Sequence, residues 1–494
     1  MRGLARRAGW PLIAIMTVAG ALRLAIAART IVYHADEVWQ YLEPAYGLVT
    51  GRWVRAWEFH DGIRGWFVPL LLSGPIALGH ALAPSTPLHL WLTRGMLALL
   101  SLGVPLAWYD LARSQGRPAA LVVAWVGATW VELIYFASRT SAEGLALTIL
   151  FPAMALARRV RENPADRRLS LALGFLLALG IIVRFQYLPA IGLIALWAFA
   201  GDWRRVLPLL VAGGLFGLAL GALADGLTGH PPLSWIWNSF RTNLVEGRSE
   251  MFGTQPPAWL ASEQARIWSL ATIAIAPLAL IGGRRRPMLL LAALAVIAAH
   301  SAIAHKEYRF ILLGGTTLVL LAAIASTELV LRLAARRGWD ARRALVGLAL
   351  GWTAISAGVS ATAFWRDQWT QGDTVFGSEI LAGEMPGLCG FATYQAHAHP
   401  QFAASFINRD VPLLLFDGDE APAEVAAMQR RFNAVLAGRI AGRTLPPAYR
   451  FAGCHGEETL APEDQDSCLY VRPGPCGGPI GDFAYQPAME RRGK

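Results

Sequence analysis

Two adjacent carboxylates follow the first long apolar segment of the chain, in His34-Ala35-Asp36-Glu37. Such a pair is costly to place where a chain leaves a membrane unless it meets a cation, a metal or a proton to be moved. A carboxylate in that position can take the proton of a sugar hydroxyl as the hydroxyl attacks an anomeric carbon, the general-base role in inverting glycosyl transfer. The leaving group must then be stabilised. A second turn, His305-Lys306-Glu307-Tyr308-Arg309-Phe310, offers donors and positive charge for a phosphate, and the fork of Arg309 suits two phosphate oxygens at once. The acid pair opens a stretch that also holds Gln40, Glu43, Trp57, Glu58, His60, Asp61 and Arg64. Further polar turns are Ser138 to Glu143, Arg184-Phe185-Gln186, and a long loop over 225–266 with Asn238, Arg241, Asn243, Gly247 and Gly253. Tryptophans such as Trp39, Trp53, Trp57 and Trp66 fit sugar stacking and the headgroup belt alike.

The elements that must position these groups are set by composition. The 494 residues are 55% hydrophobic and 16% charged, with 19 Trp and repeated apolar runs near the length of a hydrocarbon core. That pattern excludes a soluble chain. The net charge of +10 resides in short arginine clusters between apolar runs, not along one basic surface, so it reads as topology and not as nucleic-acid binding. Clusters at Arg113 and Arg117, 158–168, 204–205, 284–286 and 332–343 are cytoplasmic by the positive-inside rule. The first apolar segment, 10–27, reads as a retained helix and not as a removed signal peptide. The stretch 66–83, interrupted by Pro69 and Pro75, is assigned to the first external loop (28–89) as an interfacial or re-entrant helix. The remaining segments, near 90–110, 118–136, 142–157, 169–185, 187–200, 206–223, 267–282, 288–304, 310–327 and 344–363, then give about eleven crossings and an external C-terminus. All five polar turns fall on that external face, which predicts one site.

Four cysteines, Cys389, Cys454, Cys468 and Cys476, lie after the last span. An even number confined to one segment suits disulfides in an oxidising compartment, against the alternative of cytosolic thiols. The segment 365–494 mixes a short apolar run, 411–416, an amphipathic helix over 421–440, and Pro/Gly-rich turns. The fold class expected is therefore an all-α polytopic membrane domain, 1–364, followed by a small extramembrane α+β domain, 365–494.

His34-x-Asp36-Glu37 with Gln40-x-x-Glu43-Pro44, the Trp57-Glu58 pair, Ser138-Arg139-Thr140 ending in Glu143, Phe252-Gly253, and above all His305-Lys306-Glu307-x-Arg309-Phe310 resemble glycosyltransferase family 22. That family contains the dolichol-phosphate-mannose-dependent α-mannosyltransferases of N-glycan and GPI-anchor assembly. The resemblance runs from about residue 30 to 325. It implies a GT-C fold, an inverting transfer of mannose from a polyprenyl (dolichyl) phosphate to a lipid-linked glycan, Asp36 as the base, and Glu37 beside it in acceptor positioning or pKa tuning. His305, Lys306, Arg309 and Arg184 then fall to the donor phosphate, and His34, Gln40, Glu43, Trp57, Glu58 and Asn243 to substrate. Ala35 stands where the family motif commonly has proline, and the cysteine-bearing C-terminal region resembles nothing in the family.

Bland readings stand beside these. Asp36-Glu37 can be a helix cap with a first-turn acid, and the 305–309 turn a solvated hairpin. Arg184 can pair with Glu132 or Glu143 as a structural tie, and Arg139 with Glu143 can support a helix end. A transporter would show repeated halves with broken helices, and no such internal symmetry is visible. A GT-C transferase of another sugar remains the alternative within enzymes. No Cys/His metal cluster or nucleotide-binding glycine loop is present, so no metal and no cofactor is expected. The partners expected are the lipid-linked donor and acceptor and the membrane lipids. The location that fits is a bacterial inner membrane with the site facing the periplasm, topologically equivalent to the lumen of the endoplasmic reticulum.

Overall fold

The computed structural model describes residues 2–395, 403–454 and 467–491. It divides into two compact units, one formed by Met1–Ala27, Gly65–Phe67 and Leu97–Thr362, the other by Ala28–Arg64, Val68–Met96 and Ala363–Lys494.

The first unit is a helical membrane body. Among the described residues, six helices are long and apolar enough to cross a bilayer: Gly9–Ala27, Leu88–Gln115, Trp203–Leu227, Trp259–Arg285, Tyr308–Arg337 and Ala341–Ser360. Arg117–Thr129 and Val131–Ser138 make a seventh if the pair, bent by 59°, is one span. The sequence reading counts eleven; Phe67–Leu82, Phe185–Phe199 and Pro287–Ser301 are apolar but shorter than a full crossing. Asp166, Asp202 and Asp340 cap the starts of Arg167–Val183, Trp203–Leu227 and Ala341–Ser360 by accepting backbone N–H groups of the first turn. Tyr308–Arg337 is enclosed by its neighbours along its apolar first part, up to Thr327, whereas Trp203–Leu227 turns Leu215, Phe216 and Leu223 outward as a lipid-facing helix would. The latter packs on Arg167–Val183 through glycine: a Cβ on Gly174 would lie 1.9 Å from the Leu210 carbonyl oxygen, and one on Gly213 would lie 2.0 Å from that of Leu171. Small residues are what let two helix backbones approach this closely without a hydrophobic drive between them.

The segment read as one span over 118–136 is broken at Trp130, whose backbone is extended (φ −70°, ψ 128°). Breaking a helix frees backbone groups that hydrocarbon cannot satisfy. Here each is met. Arg23, fully buried on the first helix, donates to the Ala128 carbonyl at 2.9 Å, the Gly127 carbonyl at 3.0 Å and Ser101 Oγ at 3.1 Å. Ser356 Oγ donates to the Thr129 carbonyl at 2.8 Å and accepts the Val131 N–H at 2.9 Å. The break brings Glu132 into the interior, where Trp130 Nε1, Gln264 Nε2, Trp268 Nε1 and the Tyr308 hydroxyl all donate to it.

The second unit collects the first loop, the helix Phe67–Leu82 from Val68 onward, and everything after Thr362. Its sheet has the order β2-β1-β3-β5-β4, with β1 Phe391–Tyr394, β2 Leu413–Phe416, β3 Ala434–Ala437, β4 Arg450–Cys454 and β5 Cys468–Val471. β1 runs parallel to β2 and β3, and β5 antiparallel to β3 and β4. The core beneath it holds Leu414, Phe416, Phe432, Val435 and Tyr449. The helix expected over 421–440 ends at Met428: the turn through Arg430 and Arg431 breaks it, and the apolar run Ala434–Ala437 pairs with β1 as a strand. Both faces of that strand are buried, which is why its four residues show no alternation. Cys389 is bonded to Cys476, and Cys454 to Cys468.

Candidate active site

Within the second unit, Asp36 sits one residue before the short π-helix Glu37–Leu42, a winding wider than the α-helix, and is 21% exposed at its side chain. His34 Nδ1 accepts the Asp36 N–H at 3.2 Å and lies 3.3 Å from Asp36 Oδ1. Glu37 is 1% exposed and accepts the Tyr33 N–H at 2.8 Å, which ties the approach of the chain to the start of the helix. One turn on, Gln40 donates to Glu58 Oε1 at 2.7 Å, and Arg64 Nη2 stands 3.9 Å from the same oxygen. Burial, opposed by Arg64, and then the negative charge of Asp36 push the Glu58 carboxyl above the usual carboxylate range. Two acids in one electrostatic neighbourhood thus differ in setting: Glu58 is enclosed and its pKa raised, while Asp36 keeps part of its side chain exposed.

The structure brings His34, Asp36, Gln40 and Glu58 together, with Glu37 directly behind them and Trp57 half-buried beside Glu58 in the chain. Glu43 is placed otherwise. It is fully buried, its Oε2 accepting the Val54 N–H at 2.8 Å and its Oε1 the Ser405 N–H at 2.7 Å, so it ties backbone to backbone. Burial raises its pKa, and those hydrogen bonds oppose the rise.

Within the first unit, the second turn builds a buried charged cluster. Glu143 stands in the first turn of Ala142–Glu162, where Ser141 Oγ caps the helix by accepting the Gly144 N–H. Its Oε1 lies 2.7 Å from Arg184 Nη1 and 3.8 Å from Arg309 Nε. Arg309 Nε donates to Glu307 Oε2 at 2.7 Å, and both guanidiniums lie over the Phe310 ring, Arg184 at 4.9 Å and Arg309 at 5.6 Å. His305 directs Nδ1 to the Gly253 carbonyl at 2.8 Å and Nε2 to Glu307 Oε1 at 3.1 Å. Partial burial lowers its pKa, but these two acceptors outweigh that and raise it above the ordinary histidine value. Protonated, it makes a third cation against two carboxylates. Arg184 Nε is buried with no hydrogen-bond partner among the described residues. Lys306, expected at a phosphate, is 5% exposed, and its ammonium donates to the backbone carbonyls of Gln255, Ile303 and Ala304, which makes it a loop clasp. Asn243 makes local contacts: its amide donates to Ser239 Oγ at 3.3 Å and its carbonyl accepts from Ser249.

Sequence reasoning gathered the turns that hold Glu143 and Glu307 into one site but gave these two acids no role in it. Their signal was present in the sequence as acids two residues from Arg309 and at the start of a helix next to a basic turn. Arg184 pairs with Glu143, one of the two partners considered for it, whereas Arg139 turns its guanidinium over the Tyr135 ring at 4.7 Å. Arg64, named only as a loop residue, proves to face Glu58.

Residues 13–365 match the Alg9-like mannosyltransferase family. GPI mannosyltransferase 3 of Yarrowia lipolytica is 28% identical over 427 residues, covering 81% of this chain and 78% of that protein. GPI alpha-1,2-mannosyltransferase 3 of Danio rerio is 26% identical over 294 residues, covering 56% of this chain and 52%, about half, of its own length. Among solved structures, ArnT from Cupriavidus metallidurans bound to undecaprenyl phosphate superimposes with a TM-score of 0.61 over 95% of this chain and 99% of its own. At 14% sequence identity that likeness is one of fold, the GT-C fold. The chain is a multi-pass membrane glycosyltransferase, and it belongs to the Alg9-like mannosyltransferase family.

Proposed function

We propose that this mannosyltransferase is inverting and takes mannose from a polyprenyl (dolichyl) phosphate, transferring it to a lipid-linked glycan. The observation that carries the choice of donor is the buried cluster of Arg184, Arg309 and His305 against Glu143 and Glu307, with Arg184 Nε lacking a hydrogen-bond partner among the described residues. A surplus of enclosed guanidinium donors suits an anion that gains charge as the sugar departs. In this reading Asp36 takes the proton of the acceptor hydroxyl, the hydroxyl oxygen forms the new bond to the anomeric carbon, and the bond from that carbon to the phosphate oxygen breaks with its electrons on the phosphate. His34, Gln40, Trp57 and Glu58 bind or shape the acceptor side, and Asn243 belongs to the loop that carries Gly253. ArnT, of the same fold, holds undecaprenyl phosphate. The topology of about eleven crossings, with the carboxylate loop on the periplasmic or lumenal face, belongs to the same proposal.

Purified protein offered a panel of polyprenyl-phosphate sugars and a lipid-linked acceptor, read by the mass of the extended lipid, tests it. A gain of one hexose with the mannosyl donor alone is the expected result. Extension from a nucleotide sugar, with none from any lipid phosphate, would remove the donor from the proposal.

A further inference from the structure

The C-terminal region lies beyond the family match, which ends at residue 365, and yet it belongs to the same compact unit as the acid pair. Besides bonds between Arg55 and Gln486 and an ion pair of Arg52 with Asp410, its polar contacts with the first loop fall at two places that flank the acid pair. On the approach to His34, the Gln371 backbone carbonyl accepts the Val32 N–H at 3.0 Å while the Gln371 amide donates to the Tyr33 carbonyl at 2.9 Å. Tyr33 in turn gives its N–H to Glu37. Behind the helix that carries Glu37 and Gln40, the short helix Ala404–Ile407 is wedged among three parts of the loop. Ser405 gives its N–H to Glu43 and its carbonyl lies 2.7 Å from His89 Nε2. Asn408, 7% exposed, closes that helix in the left-handed region (φ 50°), where asparagine is among the few residues that sit readily. Its amide donates to the carbonyls of Pro84 at 2.7 Å and Thr86 at 3.1 Å, and its Oδ1 accepts the Tyr46 hydroxyl at 3.0 Å.

From this geometry we infer that Gln371 and Asn408 are positioning residues for the transfer reaction, the C-terminal region acting as a two-point clasp that sets where Asp36 stands relative to Glu58. Each acts at a distance, through the backbone of Tyr33 or through the elements flanking the helix Glu37–Leu42. Their side chains are amides whose N–H groups face carbonyls. Replacing an amide by the isosteric carboxylate therefore keeps the volume and sets oxygen against oxygen. A catalytic group displaced by about 1 Å loses on the order of a hundredfold in turnover. The inference rests on the reading of Asp36 as the base.

The test compares Gln371→Glu, Asn408→Asp and the milder Tyr46→Phe, which removes one bond of the second clasp, with wild type and Asp36→Asn. Each is assayed for kcat, donor KM, thermal unfolding and the acid limb of the kcat profile against pH. The expected result is a kcat lower by about tenfold to a hundredfold in the two carboxylate variants, with donor KM unchanged. The acid limb should move in both, because the placement of Asp36 against Glu58 sets how the pair titrates. Tyr46→Phe should show the same signature more weakly. Activity lost only in proportion to unfolded protein, with the acid limb where wild type has it, would overturn the clasp. Wild-type turnover in Asp36→Asn overturns the base instead, and so separates the two failures.

Discussion

At the scale of single residues, environment distinguishes side chains that the sequence leaves equal. Asp36, Glu37, Glu43 and Glu58 are four acids within one short stretch, yet Glu37 and Glu43 accept backbone N–H groups, Glu58 is enclosed with Gln40, and Asp36 faces solvent beside His34. Asp36→Asn should lower turnover by about a hundredfold to ten-thousandfold, the usual cost of losing a general base, with donor binding and folding retained. Glu37→Gln should be milder, since an amide oxygen still accepts the Tyr33 N–H. Single-turnover and binding assays of both variants check this; turnover near wild type in Asp36→Asn would remove it from the role. The fork of Arg309 makes a second case. Its Nε is committed to Glu307, and a lysine supplies charge without a second, fixed direction for its donors. Arg309→Lys should raise the donor KM and lower kcat, together by roughly tenfold or more, as expected for losing one hydrogen bond to a charged group at about 1.5–3 kcal/mol. Steady-state kinetics with each substrate varied in turn decides the matter: a defect confined to acceptor KM would dissociate this turn from the phosphate.

At the scale of elements, the turn 305–310 works as a unit. His305 spans from the Gly253 carbonyl to Glu307, and Glu307 holds Arg309. Because the folded state raises the His305 pKa, this brace is complete below the unfolded value near 6.5 and is lost as pH rises through the higher folded value. Donor KM should therefore climb on the alkaline side, and His305→Gln should flatten that climb; a donor KM in wild type that does not change above about pH 6.5 would contradict it. The same turn shows what spacing could and could not reveal. His34, Asp36, Gln40 and Glu58 come together because they are near in sequence and flank one short helix. Glu43 looked like their equal, but its fate depends on Ser405, 362 residues away, and no local pattern reports such a partner. Lys306 carried the right charge for a phosphate, yet its ammonium is held by the Ile303 and Ala304 carbonyls of its own turn and by that of Gln255 from another loop. The break at Trp130 was hidden for a related reason: four of its freed backbone groups are met by Arg23 and Ser356, from helices remote in sequence, and nothing in the run Arg117–Ser138 itself demands a bend.

At the scale of the whole molecule, hydropathy was enough to recognise a polytopic helical protein but not to count its crossings, because several apolar helices are shortened by turns and one is bent. Thiol labelling addresses topology directly. All four cysteines are disulfide-bonded, so probes can be introduced without removing them. Single cysteines at the exposed positions Asp61, Glu250 and Asp410 should label from outside intact cells, and those at Asn163 and Arg284 only after permeabilisation. Labelling of Asp410 only after permeabilisation would reverse the C-terminal side and with it the proposed compartment of the disulfides. The bend at Trp130 has one more consequence, for the order in which the protein is made. Arg23 lies in the first span, while its carbonyl acceptors at Gly127 and Ala128 are 104 and 105 residues later. An arginine at the centre of an isolated helix costs about 2.5–3.5 kcal/mol on the insertion scale, and less near the helix end, where Arg23 stands. During synthesis the first helix must wait with that cation short of these two acceptors, held by the Ala19 carbonyl of its own helix and later by Ser101, while more than a hundred further residues are translated. The brace that completes the finished bundle is therefore a burden on its earliest intermediate, and the first helix is the element most in need of the insertion machinery's shelter.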